Sequence, residues 1–290
     1  MDEGQFLQDV YPPLVVFGGV GKFGFASAAH LTESSPLLTP TNVSRLHQSW
    51  QPFWDSNKTI RIEKTPGNLI MTRFLQAAFP NAHFIVIKRH PVPVSLATQK
   101  WSRSPLHKLF DHWLRCHEIF EEDKKYLTHL YELSYEDYIE KPEKHLKEIA
   151  NFIGTEFSSL GQDEVADIYN AKYFAQWVQM LETSPCRLYY RHVTRLYEKK
   201  FAEHGYSLVP SSAGTNFCFD DRKLISRIMA PLLRLAWDLF AIPWHADLRF
   251  RVASQQIAHR YLPKTVRRMF RKFQASVTRY NLRNATGTSK

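Results

Sequence analysis

Cysteine is scarce in this chain of 290 residues: Cys116, Cys186 and Cys218 are three, odd in number and widely spaced. That excludes a disulfide framework and any cysteine-cluster zinc site. A long apolar run is missing too, because the longest stretch, Ile228 to Trp244, is broken by Arg234 and Asp238 and holds two prolines. Such a run does not read as a transmembrane helix, and no charged-then-apolar leader precedes residue 30. Acidic residues are absent from Arg249 onward, where eleven Lys or Arg stand without one Asp or Glu. The remaining 248 residues hold 27 basic against 28 acidic side chains, a net of −1 beside +10 for the whole chain. The basic character therefore belongs to a tail, and any polyanion partner has to be argued from it.

What is present is the material of a folded body. Apolar residues make up 44%, aromatics 14% and charged residues 23%, which excludes a disordered or collagen-like chain.

A glycine-rich turn, Gly18-Gly19-Val20-Gly21-Lys22, follows the short apolar run Leu14 to Phe17. A phosphate loop would need glycine where Val16 stands, and Ser or Thr where Phe23 follows the lysine. It reads as a surface loop. From residue 59 a strand–helix alternation begins. Thr59 to Glu63 alternates as a strand does, and Thr65-Pro66 starts a helix with threonine as cap and proline at the first position. Leu69, Ile70, Phe74, Leu75 and Ala78 keep helical spacing until Pro80-Asn81. Phe84-Ile85-Val86-Ile87 is a continuous apolar run, predicted as a strand buried on both faces.

Helices are expected after Pro91 and Pro93 and over Leu106 to Tyr126. A strand is expected near Leu130 to Tyr135, and a helix from Pro142 to Gly154. Residues 155–206 read as mainly helical, and Pro210 to Gly214 as a linker to an apolar helix around Leu224 to Phe240 and the tail. The pattern predicts a parallel sheet covered on both faces. A right-handed crossover between Thr59–Glu63 and the next strand would set Glu63-Lys64 and Lys88-Arg89-His90 on one sheet edge, where such folds bind ligands. One cluster offers a carboxylate base, the other a cationic grip for an anion. The same charges also serve as ordinary solvated strand ends.

At this point the residues become specific. Ile62-Glu63-Lys64-Thr65-Pro66, Phe79-Pro80-Asn81-Ala82-His83-Phe84 and Arg89-His90-Pro91 are followed by Thr98-Gln99-Lys100-Trp101. Ser134-Tyr135-Glu136-Asp137, Asn151-Phe152-Ile153-Gly154 and His204-Gly205-Tyr206 come after them. In this order and spacing they resemble the sulfotransferase family, over about residues 59–206.

The resemblance implies a three-layer α/β sandwich with a parallel sheet of the P-loop nucleotide-binding type, and a co-substrate, 3′-phosphoadenosine-5′-phosphosulfate. Residues 1–209 would be the sulfotransferase-like domain, and 210–290 a helical extension ending in the basic tail. Glu63 matches the family's general base, and Arg89 the arginine that holds the donor's 3′-phosphate, where a planar fork suits phosphate. The serine expected eight residues after that arginine is Ala97 here, so Thr98, and after it Ser95, are the candidate replacements. Nothing between Met1 and Leu38 fits the family's Gly-Thr-rich 5′-phosphosulfate loop, so the first strand and that loop are expected to be missing. The reaction needs no metal, and no histidine pair here has zinc spacing.

The implied acceptor is a hydroxyl or amine of carbohydrate or protein. The alternative is a non-catalytic relative that binds anionic membrane or polyanion through residues 249–290, without sequence-specific nucleic-acid recognition. A Golgi location would follow from an upstream anchor, a cytoplasmic one otherwise.

Overall fold

The computed structural model describes residues 3–157 and 168–210. The chain divides into two units, Met1–Ile242 and Pro243–Lys290. The expected helical extension and basic tail lie outside the described residues, as do the linker beyond Pro210 and the side chain of Tyr169.

The described part is mostly helical, with one small parallel sheet. Strand β1, Phe84–Lys88, pairs in register with β2, Leu130–Ser134, so that Ile85 faces Tyr131 and Lys88 faces Ser134. The crossover between them is α3, Pro91–Ser102, and α4, Leu106–Asp123. Helices α5, Tyr135–Glu140, and α6, Pro142–Phe152, follow β2, and α7, Ile168–Glu182, and α8, Arg187–Ala202, complete the described chain. Upstream lie α1, Pro40–Trp50, and α2, Thr72–Ala78. Proline takes the first position of α1, α3 and α6, where its missing N–H costs nothing and its fixed φ suits the helix. Gly154, at φ +71°, ends α6 in the left-handed conformation that a residue with Cβ rarely adopts.

Two expectations fail here. Residues 59–63 form no strand: Ile60 is 40% and Ile62 74% exposed, Trp54 Nε1 donates to the Ile62 carbonyl, and Arg61 lies over the Trp54 ring. Alternating β-branched residues suit a strand, but without a neighbouring strand they have no ladder to join. Nor is β1 buried on both faces, since Ile85 is 39% and Ile87 55% exposed. One face of β1 is covered, with Phe84 in a core cluster beside Cys116 and Ile119 of α4. Helix α6 packs on β2 instead, where Phe152 lies against the Tyr131 ring and Glu148 accepts its hydroxyl at 2.6 Å. The segment after Thr65 is also tighter than expected. Pro66–Ile70 is a 3-10 turn separated from α2 at Met71, and Thr65 caps nothing with its side chain.

Helix α4 sits between two cores. One joins α3, α4, α7 and α8 through Phe110, Trp113, Trp177, Val193 and Phe201. Tyr173, Trp177 and Tyr189 are buried in it, as helical aromatics usually are. The other packs the N-terminal segment, α1 and α2 onto the opposite flank of α4 through Val10, Leu14, Leu46, Trp50, Ile70 and Phe74. At that seam Gly67 lies where any Cβ would fall 2.1 Å from Leu14 Cδ1.

Candidate functional site

Parallel pairing brings Arg89 and His90, just past β1, to the same sheet edge as Tyr135 and Glu136, just past β2. Arg89 is half-buried there. Its Nε and Nη2 both donate to the side-chain oxygen of Asn170 on α7, at 2.9 and 2.6 Å. The Tyr135 ring lies 4.4 Å from the guanidinium carbon, and Trp113 Nε1 donates to the Arg89 carbonyl at 3.1 Å. Among the described residues no carboxylate pairs with Arg89. The nearest link to one is indirect. Glu136 accepts the His90 backbone N–H at 3.1 Å and the Asn170 amide at 3.4 Å.

His90 is a fixed cap. Its Nδ1 accepts the Val92 N–H at 3.2 Å, so its Nε2 carries the proton and donates to the Ser207 carbonyl at 3.0 Å. Burial lowers its pKa to about 4, against a smaller opposing pull from the Ser207 bond. With both ring nitrogens engaged, His90 holds the entrance of α3 and is a poor candidate for a base.

Glu63 lies in a different setting. Oε1 accepts the Gly4 backbone N–H at 2.9 Å and the Thr65 hydroxyl at 2.5 Å, and Oε2 accepts the Asn68 amide. A Cβ on Gly4 would fall 2.5 Å from Oε1, so any larger residue there would push the carboxylate aside. Buried Tyr11 stands close by: burial first, and the charge of Glu63 second, hold its hydroxyl well above the ordinary phenol range. Lys64 pairs with Glu3 at 3.4 Å on the surface. The partners of Glu63 and those of Arg89 share no residue.

The two hydroxyl candidates on α3 face inward. Ser95 is 1% exposed and its Oγ has no hydrogen-bond partner. Thr98 lies under the glycine-rich turn: a Cβ on Gly21 would come 3.1 Å from its methyl group and 2.6 Å from Leu109. That turn is built from left-handed Gly18, Gly19 and Gly21. Its N–H groups at residues 18, 19, 22 and 23 donate to the carbonyls of Leu14, Val15 and Gly19, so only those of Val20 and Gly21 have no recorded backbone acceptor. The turn is a surface loop only in part: Val20 is exposed at its tip, while Gly19 and Gly21 are buried.

Among the described residues no group of three or more His, Cys, Asp or Glu is placed to hold a metal ion, and no helix is long and apolar enough to cross a membrane. Sequence reasoning missed Asn170. It lies 81 positions beyond Arg89 on a helix whose aromatic pattern speaks only of core, and no local signal marks it.

The chain matches no curated protein and no solved structure at a significant level. Residues 20–159, which hold Glu63, both strands, α3 to α6 and the Arg89 edge, match the model described as the sulfotransferase family. Over that span, just under half of the chain, the sequence is similar to the sulfotransferase family.

Proposed function

We propose that this protein moves a sulfuryl group from 3′-phosphoadenosine-5′-phosphosulfate to a hydroxyl of a carbohydrate or protein acceptor. The observation that carries the reading is Arg89. A guanidinium at the C-terminal edge of a parallel sheet, without a carboxylate partner among the described residues, keeps its charge for an anion, and its planar fork suits the donor's 3′-phosphate. In the transfer, the acceptor oxygen attacks sulfur, the bond from sulfur to the bridging phosphate oxygen breaks, and the acceptor loses its proton. Glu63 is the carboxylate for that proton. An ionised carboxylate offers about four acceptor positions, and three donors occupy those of Glu63. One position is left for the acceptor hydroxyl.

Glu63→Gln keeps the shape and removes the basic oxygen. Turnover should fall by about 10²–10⁴-fold with nucleotide affinity nearly unchanged; turnover at the wild-type level removes Glu63 from the reaction.

One observation favours a second reading, a non-catalytic relative that binds through the tail. The described glycine-rich turn spends four N–H groups, those of residues 18, 19, 22 and 23, on carbonyls of residues 14–19, which leaves only those of Val20 and Gly21 for a phosphosulfate. Wild-type protein that binds the nucleotide but transfers nothing would favour it.

A further inference from the structure

Arg89 is held by a neutral group where a carboxylate would be the stronger partner. Both of its recorded donors end on Asn170 Oδ1, and Asn170 is 1% exposed. The Asn170 amide then turns to Glu136 at 3.4 Å, so the carboxamide stands between the guanidinium and the nearest acid in this network. An Asp at this place would hold the fork as well or better, but would cancel its charge. An aliphatic residue would leave the charge and lose the orientation. The carboxamide alone gives both.

We infer that Asn170 is a positioning residue that aims Arg89 while leaving its charge uncompensated, so that the edge selects a phosphate monoester in its dianionic form. The inference rests on the reading that Arg89 grips the donor. Tyr135 supports it from one ring face at 4.4 Å and brings no charge of its own. Two donors on one acceptor fix the guanidinium plane, and among the described residues the remaining terminal nitrogen has no recorded partner. Because a phosphate monoester passes from one to two negative charges near pH 6, an uncompensated guanidinium should distinguish the two forms.

Titration calorimetry of the full chain with adenosine 3′,5′-bisphosphate at pH 8 tests this. Asn170→Ala should weaken binding about threefold to tenfold, and Asn170→Asp at least tenfold further, although only the aspartate retains both acceptor contacts. A role confined to orientation gives the reverse order, and that order, or wild-type affinity in both variants, overturns the inference. Arg89→Ala is the separating control: wild-type affinity there overturns the donor reading itself, whereas a large loss there with a tight Asn170→Asp overturns only the inference. Should Asn170→Asp fail to fold, the wild-type protein supplies the readout. Its affinity for the same nucleotide should rise several-fold from pH 5 to pH 7.5, and a flat profile contradicts the proposal.

Discussion

Glu63 accepts the backbone N–H of Gly4 at 2.9 Å, across 59 positions of chain. With Thr65 and Asn68 on the same carboxylate, it ties the N-terminal segment to the turn that precedes α2. A residue proposed as a base is therefore also a structural junction. Glu63→Gln replaces one acceptor oxygen by an amide that cannot accept from these donors. It should lower unfolding stability by about 1–3 kcal/mol, the cost of leaving a half-buried donor unpaired. Urea unfolding checks this, and an unchanged midpoint would mean that the three contacts are not made in solution.

Three histidines set an acid limit. Burial lowers the pKa of His90, His112 and His117 to about 4 each, while an unfolded histidine titrates near 6.5. Between those values the unfolded chain takes up protons that the folded chain refuses. Stability from these groups is thus full above pH 6.5 and is lost as pH falls towards 4, each contributing on the order of 2–3 kcal/mol. The urea midpoint should drop clearly from pH 7 to pH 5. A flat profile over that range would show that these rings are not buried as neutral groups.

Much of the fold can be read from local chemistry, and the limits have physical causes. Pro91 and Pro142 mark the starts of α3 and α6, and Gly154 the end of α6, because each effect acts within one helical turn. The same Thr-Pro signature at Thr39-Pro40 starts α1, with Thr39 accepting from the Asn42 N–H at 3.2 Å, a helix that the sequence reading does not include. Thr59 to Glu63 misleads because strand pattern describes a surface that fits a neighbour and says nothing of whether the neighbour is there. Ile85 and Ile87 mislead for a related reason: an apolar run does not reveal which face is covered. In the candidate site Arg89 and Glu63 stand in recognisable local motifs, whereas Asn170 is set beside Arg89 by tertiary packing of α7 on α3 and leaves no trace in spacing.

The tail carries the polyanion proposal. Residues up to 248 have a net charge of −1, and the eleven basic residues that follow have no acidic neighbour in sequence. Deleting residues 249–290 should abolish salt-sensitive binding to heparin or anionic vesicles. Binding with the same salt dependence after the deletion would place the polyanion site elsewhere.

The central claim is that Arg89 holds the donor's 3′-phosphate, and its direct measurement is the affinity of Arg89→Ala for adenosine 3′,5′-bisphosphate by calorimetry. Loss of a charge-assisted pair to a phosphate should cost about 2–4 kcal/mol, roughly thirtyfold to a thousandfold in dissociation constant. Affinity equal to that of the wild-type protein would contradict the account.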